Sequence, residues 1–260
     1  MKDIHYIMCS GSRSGTHYAG YLLKAFYLGH PCQMHVKDMN HLDAIPSGEG
    51  SLEQWGNIFF QDQRIRTGDT IYSRWVASDQ FENVMHSLRE KADASCVFDV
   101  NLLEHIYPDI KFLYLRREDY VKQAISMVKA DQTKQWLSSR LNVDQAPEYN
   151  FTQIVYWTIR FVRSRSLWKR FFVRYGIEPL DVVYEDFCKA PREWLLRIKE
   201  HLGIHNDVPI TEEAIQMHME DEKAPQKMSD HINTKWERKF YRDLERLKEN
   251  PLPVDNEEKK

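Results

Sequence analysis

The sequence predicts an α/β protein of three layers, in which a central, mostly parallel sheet is flanked by helices. Short apolar segments alternate with helical segments along most of the 260 residues, and this alternation is typical of parallel strands joined by helical crossovers. A chain of this length buries roughly three quarters of its extended surface, which is enough for one large core. Since no repeat or linker divides the sequence, we expect a single domain over residues 1–249 and a flexible tail over 250–260.

The strands are predicted from short apolar runs that end at turn residues or charges. They cover residues 4–9, 95–100, 111–115 and 180–184. Helices are predicted where apolar residues recur at helical spacing or where a long segment lacks Gly and Pro. They cover residues 18–26, 70–88, a segment that begins at about 118, 151–175, 193–201 and most of the chain beyond. Residues 30–70 are rich in Gly and Pro and are expected to form irregular loops with short elements.

The composition excludes several classes of protein. Lys and Arg number 36 against 39 acidic residues, a formal charge of −3, which argues against a dedicated nucleic-acid binder but allows a local basic pocket. No segment reaches the ~18 apolar residues of a membrane helix, and the first residues lack a signal-peptide core. The four cysteines form no CxxC pair, which disfavours a disulfide framework and a zinc site. We therefore expect a cytoplasmic protein with reduced thiols and no membrane span.

A loop of small residues follows the first predicted strand, and it has the sequence Ser10-Gly11-Ser12-Arg13-Ser14-Gly15-Thr16. Small residues allow successive backbone N–H groups to converge, and the next helix adds the positive end of its dipole. The loop also lies at the carboxyl edge of a strand, where α/β sheets bind ligands. It is not a Walker loop, because Thr16 stands where that motif requires Lys. An ordinary βα turn capped by Ser14 or Thr16 is the alternative.

A second candidate anion site follows the strand predicted at 111–115. Arg117 stands at the end of this strand, where a guanidinium can form two parallel hydrogen bonds to a phosphate, and Ser126 follows nine residues later with a hydroxyl donor. Alone, this pair is compatible with a solvated arginine and a buried serine. Two anion sites at adjacent strand ends together predict a ligand with two phosphate-like groups, such as a doubly phosphorylated nucleotide.

The order of these motifs resembles that of sulfotransferases that use 3′-phosphoadenosine 5′-phosphosulfate (PAPS), in particular the bacterial trehalose 2-sulfotransferase-like family. Further segments that carry the resemblance are Gln123–Ser126, Gln132–Trp136, Gly176–Leu180, Tyr184–Asp186, Ser229–Asp230 and Trp236–Arg238. They occur in the right order over most of the chain. The resemblance implies a P-loop-like nucleotide-binding fold, with PAPS as co-substrate and a hydroxyl acceptor on a carbohydrate or other small molecule. Sulfuryl transfer of this kind requires no metal, and the sequence contains no cluster of carboxylates or histidines at the spacing of metal ligands.

The resemblance also implies roles for the residues at matching positions. The residues that would hold the 5′-phosphosulfate are Arg13, Ser14, Gly15, Thr16 and His17. Arg117 and Ser126 would hold the 3′-phosphate, and Lys227 would approach the nucleotide from a C-terminal segment. Arg13 would also act in catalysis, because it would stabilise the negative charge that develops on the departing phosphate oxygen.

The sequence departs from the family pattern on the first helix. The trehalose-modifying enzymes carry a Glu eight residues after the loop arginine that resembles an acceptor-activating base, whereas this chain has Tyr21 there. A tyrosine with an ordinary pKa near ~10 is a poor base at neutral pH. His17 and Asp99 are the candidates to replace it. His17 could instead only contact phosphate, and Asp99 could cap a helix, so the base and the acceptor remain open.

Two other functions compete with sulfuryl transfer. A P-loop-like kinase using ATP and Mg²⁺ is one, because Cys96-Val97-Phe98-Asp99 could be a strand that ends in a magnesium-linked carboxylate; the missing Lys after Gly15 counts against it. A non-catalytic nucleotide-binding protein is the other, and Tyr21 would then mark a lost base. A homodimer is a further possibility, and no nucleic-acid partner is expected.

Overall fold

The computed structural model describes residues 3–33, 64–67, 69–77, 109–136, 146–221, 224–225 and 231–249. The strands are β1 (Asp3–Ser10), β2 (Cys32–Gln33), β3 (Arg64–Thr67), β4 (Asp69–Ala77), β5 (Lys111–Arg116) and β6 (Leu180–Val183). The helices are α1 (Thr16–Ala25), α2 (Tyr120–Thr133), α3 (Phe151–Tyr175), α4 (Tyr184–Lys189), α5 (Pro191–Leu202), α6 (Glu212–Met219) and α7 (His231–Glu249).

The strands form one sheet in the order β2-β4-β1-β5-β6, and all neighbours in this order are parallel. Among the described strands, β3 alone is antiparallel to its neighbour, and it pairs with β4. The register places Ser10 opposite Leu115 and Leu115 opposite Val182. The carboxyl ends of β1, β5 and β6 therefore lie side by side. The predicted fold class, a mostly parallel sheet flanked by helices, is confirmed.

Several predicted elements agree closely with the structure, and one is wrong. The strands predicted at 4–9, 111–115 and 180–184 correspond to β1, β5 and β6, and the helix predicted at 151–175 is α3. The helix predicted at 70–88 is wrong in its first part, because residues 69–77 form β4. This segment, DTIYSRWVA, is rich in β-branched and aromatic residues, which favour a strand that is paired on both sides. The strand predicted at 95–100 and the tail at 250–260 lie outside the described residues.

Contacts group the chain into two compact parts. The first comprises residues 1–118 and 161–225, and the second comprises 119–160 and 226–260. The first part contains the sheet, and its core is formed by buried apolar residues of the strands and of the helices α1 and α5. Members of this core are Tyr6, Met8, Leu22, Leu23, Phe26, Leu113, Leu115, Trp194, Leu195 and Ile198. The prediction of a single domain over 1–249 stays a prediction.

The second part is held together by aromatic and polar contacts between α7 and the segments that precede it in the chain. The rings of Phe151 and Phe240 stack with centroids 5.2 Å apart. The Tyr149 hydroxyl donates a hydrogen bond of 2.8 Å to Asp243, and Lys129 on α2 donates one of 2.7 Å to Asn233. Among the helices of the described ranges, none is both long enough and apolar enough to cross a membrane.

Candidate functional site

The loop between β1 and α1 has the backbone of an anion cradle. Arg13 and Gly15 have φ angles of 60° and 86°, whereas Ser14 between them stays outside the left-handed region. Such alternation turns successive N–H groups toward one point and makes an anion-binding concavity. The N–H groups of the first turn of α1 add to it, because they have no acceptor within the helix. The loop therefore combines left-handed residues with a helix N-terminus, an arrangement that suits a phosphate or sulfate group.

The N-terminus of α1 bears on the two interpretations of the loop. The N-cap residue is Gly15, which makes no side-chain cap hydrogen bond, and its carbonyl accepts from the Ala19 N–H at 3.0 Å. Neither Ser14 nor Thr16 is therefore the N-cap residue of this helix. Arg13 adopts a left-handed conformation that costs a residue with a Cβ about 1–2 kcal/mol. Strain of this kind is typical of functional loops.

Neighbouring elements fix the end of β1 where the loop begins. Ser10 is fully buried, and its carbonyl accepts a hydrogen bond of 2.9 Å from the indole N–H of Trp168 on α3. Ser14 and Thr16 are also buried. The backbone of the loop is thus anchored in the core of the first compact part, which makes it a preformed site.

Tyr184 lies against this loop from the end of β6. A Cβ atom built on Gly15 would overlap the Tyr184 ring, so the ring fills the space that only glycine leaves open. The ring also packs edge-to-face on Tyr18, with centroids 6.1 Å apart. Burial is the main cause that raises the pKa of Tyr184, and the neighbouring Cys188 adds to it. The phenol is therefore neutral at physiological pH.

The two arginines after β5 have different surroundings. Arg116 donates from Nε and Nη2 to both carboxylate oxygens of Asp181, at 2.7 and 2.9 Å, and from Nη1 to Glu118 at 3.0 Å. Arg117 donates from Nε to Glu185 at 3.2 Å, and its guanidinium lies 5.1 Å from the centroid of the Tyr184 ring. Its two Nη groups make no hydrogen bond to any described residue. Of the two neighbours, Arg117 is the one with donors available for a ligand.

Positive charges converge on the loop. The pKa of Arg13 is lowered, first by loss of water around the guanidinium and then by the charge of Arg117. The pKa of His17 is lowered in the same way, by loss of water and then by Arg13. The His17 residue is exposed at the surface and lies close enough to Arg13 for that charge to act on its imidazole. The structure thus brings Arg117, which the sequence predicted in a second anion site, close to Arg13 of the loop, and an anion between these two guanidinium groups would relieve their repulsion.

The other predicted residues have different placements. Ser126 lies on α2, half-buried, within the second compact part. Asp99 and Lys227 lie outside the described residues, so their roles stay predictions. Tyr21, at the position of the family's Glu, donates its hydroxyl to the carbonyl of His218 at 2.8 Å. Burial and the charge of Asp221 raise the pKa of Tyr21, so its hydroxyl keeps its proton at neutral pH. The hydrogen bond makes Tyr21 a structural link between α1 and α6.

Sequence reasoning missed Tyr184 and Glu185 as members of the site. The available signal was an aromatic and an acidic residue directly after an apolar strand, at an edge of the sheet where other strands end in candidate ligands. To use that signal one must know which strands are neighbours in the sheet, and this order depends on contacts between residues far apart in the sequence. In the part of the chain that the structure describes, no three His, Cys, Asp or Glu side chains are grouped to hold a metal ion.

The fold and the site define the class of protein. A backbone cradle after one strand and an available arginine after the adjacent parallel strand are typical of α/β proteins that bind phosphorylated or sulfated ligands. The family model described as Stf0 sulphotransferase matches residues 5–243. The chain therefore belongs to the Stf0 sulphotransferase family, which confirms both the resemblance and the predicted enzyme class.

Comparisons with curated proteins and with solved structures give no further support for the function. No curated protein matches the chain. Among solved structures, the chain is similar to retinol dehydratase in complex with androsterone and the inactive cofactor PAP, at 17% identity, with 98% of this chain and 84% of that chain covered. The TM-score is 0.35, which is too low for a comparison of sites.

Proposed function

We propose that the protein transfers a sulfuryl group from PAPS to a hydroxyl group of an acceptor. One observation carries the donor assignment: Arg13 in the cradle after β1 and Arg117 after the adjacent β5 are close enough to influence each other electrostatically. Two cationic sites at neighbouring strand ends suit a nucleotide with anionic groups on both its 5′ and 3′ positions. Membership of the sulphotransferase family supports the same donor.

Each part of the donor has proposed partners. The backbone and side chains of residues 13–17 would hold the 5′-phosphosulfate. Arg117, with Ser126, would bind the 3′-phosphate, and Lys227 would approach the nucleotide as well. The two Nη groups of Arg117 support this assignment. Among the described residues, the Arg117 side chain donates one hydrogen bond, from Nε to Glu185, and this bond leaves both Nη groups for the phosphate. Arg116 is already paired with Asp181 and Glu118 and is not part of the proposal.

The transfer would be an in-line displacement at sulfur. The acceptor oxygen forms a bond to sulfur while the bond between sulfur and the bridging phosphate oxygen breaks, and that oxygen keeps the electron pair. Negative charge therefore grows on the 5′-phosphate, next to Arg13 and the N–H groups of the cradle. Because these donors are fixed before the reaction, they stabilise the transition state without reorganisation.

The proton of the acceptor hydroxyl requires a base. His17 is a candidate because its pKa is shifted below the ordinary value of 6.5, so that the imidazole is neutral at pH 7 and accepts a proton. Asp99 is the other candidate. A pure phosphate contact by His17 is the competing role. Tyr21 is not a candidate, since its hydroxyl is bound to the His218 carbonyl and its pKa is raised.

The acceptor is proposed to be a carbohydrate or a small glycoconjugate, on the strength of the family resemblance. A homodimer formed by single-domain subunits of residues 1–249 completes the proposal. No metal is assigned a role, because positioning and charge stabilisation supply the catalysis.

The experiment that tests this function measures the affinity of the protein for 3′,5′-adenosine bisphosphate (PAP), AMP, and ATP with Mg²⁺ by calorimetry. PAP is expected to bind most tightly. A preference for ATP with Mg²⁺ would contradict the sulfotransferase assignment and favour a kinase. Turnover of labelled PAPS with a panel of sugars then tests the acceptor, and absence of transfer to every hydroxyl compound would favour a non-catalytic nucleotide-binding protein.

A further inference from the structure

We propose that Tyr184 and Glu185 are positioning residues, which hold Arg117 in place for the 3′-phosphate and thereby set the preference for a donor that carries this group. The inference rests on the proposed PAPS-dependent function. It concerns two residues that touch Arg117 from different sides and belong to a third strand end, that of β6.

Glu185 fixes the guanidinium by its edge. One carboxylate oxygen, Oε1, accepts from Arg117 Nε at 3.2 Å, and the other, Oε2, accepts from the backbone N–H of Glu118 at 3.2 Å. The carboxylate therefore ties the side chain of Arg117 to the backbone of the next residue. Since the contact uses Nε, the edge formed by Nη1 and Nη2 is left for a bidentate bond to phosphate.

Tyr184 supports the guanidinium by its face. The Arg117 Cζ atom lies 5.1 Å from the ring centroid, within the range of a cation–π contact. The same ring packs on Gly15 of the anion cradle. It therefore lies between the loop proposed for the 5′-phosphosulfate and the arginine proposed for the 3′-phosphate.

The sheet register explains how these residues meet. Arg116, the last residue of β5, is paired with Val183, the last residue of β6. The residues that follow, Arg117 and Tyr184, therefore leave the sheet at the same level. The contacts arise from the parallel pairing of β5 and β6, which also brings Glu185 within reach.

Arg117 needs such support because a like charge is close. The charges of Arg13 and Arg117 repel each other, and a long arginine side chain loses rotamer entropy when it is held in one position. Without Glu185 and the ring, the side chain would move toward water and would have to be ordered again at each binding event. Positioning therefore strengthens the binding of the 3′-phosphate.

A competing role for Glu185 predicts the opposite effect of its neutralisation on the binding of a 3′-phosphate. If its carboxylate only competed with phosphate for Arg117, its neutralisation would strengthen the binding of a 3′-phosphate. The ratio of the affinities for PAP and AMP separates the two roles, because these ligands differ only in that phosphate. The ratio is also insensitive to a general loss of stability, which would weaken both ligands alike.

The test compares E185Q with D186N by calorimetry. Both substitutions remove one negative charge from α4, but Asp186 pairs with Lys189 at 3.1 Å and is half exposed. For E185Q we expect the preference for PAP over AMP to fall about tenfold, which corresponds to about 1.4 kcal/mol, with AMP affinity within about twofold of the unmodified protein. D186N is expected to keep the preference. An unchanged or increased preference in E185Q overturns the proposal.

Two variants of Tyr184 test the support from the ring. Y184F keeps the ring and is expected to keep the preference for PAP, whereas Y184L is expected to lose it. Equal preference in Y184L and the unmodified protein, or equal loss in both variants, contradicts the role of the ring. If Y184L does not fold, E185Q decides the proposal. Failure of the proposed function is a separate outcome, because the unmodified protein itself would then show no preference for PAP over AMP.

Discussion

Arg116 and Asp181 form a two-bond ion pair across β5 and β6, with Nε to Oδ1 at 2.7 Å and Nη2 to Oδ2 at 2.9 Å. The pair occupies the donors of Arg116, and its hydrogen bonds are the main cause that raises the pKa of this arginine. The side chain of Arg117, the next residue, is 17% exposed and makes a single hydrogen bond to Glu185 among the described residues. Two adjacent arginines thus have separate tasks, one in the fold and one in the site.

The first prediction follows from this division. R117A is expected to weaken the binding of PAP by about 1.5–3 kcal/mol, the range for hydrogen bonds to charged groups, because the 3′-phosphate loses its donors. The affinity for AMP is expected to change little. Calorimetry with both ligands measures the two effects, and equal losses for PAP and AMP would remove the 3′-phosphate role of Arg117.

R116A is the matched control for this prediction. It is expected to lower the free energy of unfolding by about 1 kcal/mol, since the Asp181 partner is half exposed and water screens the pair. The ratio of PAP to AMP affinity should stay that of the unmodified protein. A change in that ratio for R116A would mean that the division of tasks between the two arginines is wrong.

The second prediction concerns Gly15. G15A places a Cβ at a φ of 86° and against the ring of Tyr184, so both backbone strain and steric overlap oppose it. G203A is the control, because Gly203 has a φ of 64° but open space where the Cβ would lie. G203A is expected to lose about 1–2 kcal/mol of unfolding free energy from the backbone alone.

G15A is expected to lose more stability than G203A and, in contrast to it, to lose donor binding. Chemical denaturation gives the free energies of unfolding, and PAP calorimetry gives the affinities. Equal effects of the two substitutions on both measurements would show that the contact between Gly15 and Tyr184 does not shape the cradle.

The third prediction concerns Tyr21. Y21F removes the hydrogen bond to the His218 carbonyl and is expected to lower the free energy of unfolding by about 1 kcal/mol. The rate of sulfuryl transfer should stay within about twofold of the unmodified protein, because the hydroxyl is a structural donor. A loss of kcat of a hundredfold in Y21F, with the stability unchanged, would instead identify Tyr21 as a participant in the reaction.

The sequence predicts those elements of the fold that local patterns determine. The apolar runs of β1, β5 and β6 and the uninterrupted helix α3 depend on neighbours in the chain, and their predicted bounds are nearly those of the structure. The apolar residues of β4 also fit a helical period, so the sequence predicts a helix there, whereas pairing with β1 determines that the segment is a strand. Tyr184 and Glu185 were missed for a related reason. Their proximity to Arg117 is set by strand register, which joins residues 67 and 68 positions apart.

The fourth prediction concerns stability at acidic pH. Burial lowers the pKa of His5 on β1 to about 4, against the opposing charge of Asp3, whereas the unfolded chain has the ordinary value of 6.5. Between these values the unfolded state binds more protons, so the free energy of unfolding decreases as the pH falls from about 6.5 to about 4. H5F is expected to reduce this slope by up to about 1.4 kcal/mol per pH unit.

Denaturation curves recorded at several pH values between 4 and 7 measure how the free energy of unfolding changes with pH. Because carboxylates also contribute to this slope, the slope of H5F is compared with that of the unmodified protein. H205Q is the control for the removal of a histidine, since His205 is exposed at the surface. The assignment to His5 is wrong if H5F and the unmodified protein have parallel curves.

The last prediction tests the proposed base. Since loss of water and the charge of Arg13 lower the pKa of His17, the acid limb of kcat/KM should lie below pH 6.5. H17N is expected to lower kcat by about 10²–10⁴, the usual contribution of a general base, and to abolish this limb. Donor KM should change much less than kcat, because the cradle N–H groups and Arg13 remain as partners of the 5′-phosphosulfate. If H17N instead raises the KM for PAPS and keeps the pH profile of the unmodified enzyme, His17 is a phosphate contact and the proton is accepted by another residue, for which Asp99 is the remaining candidate.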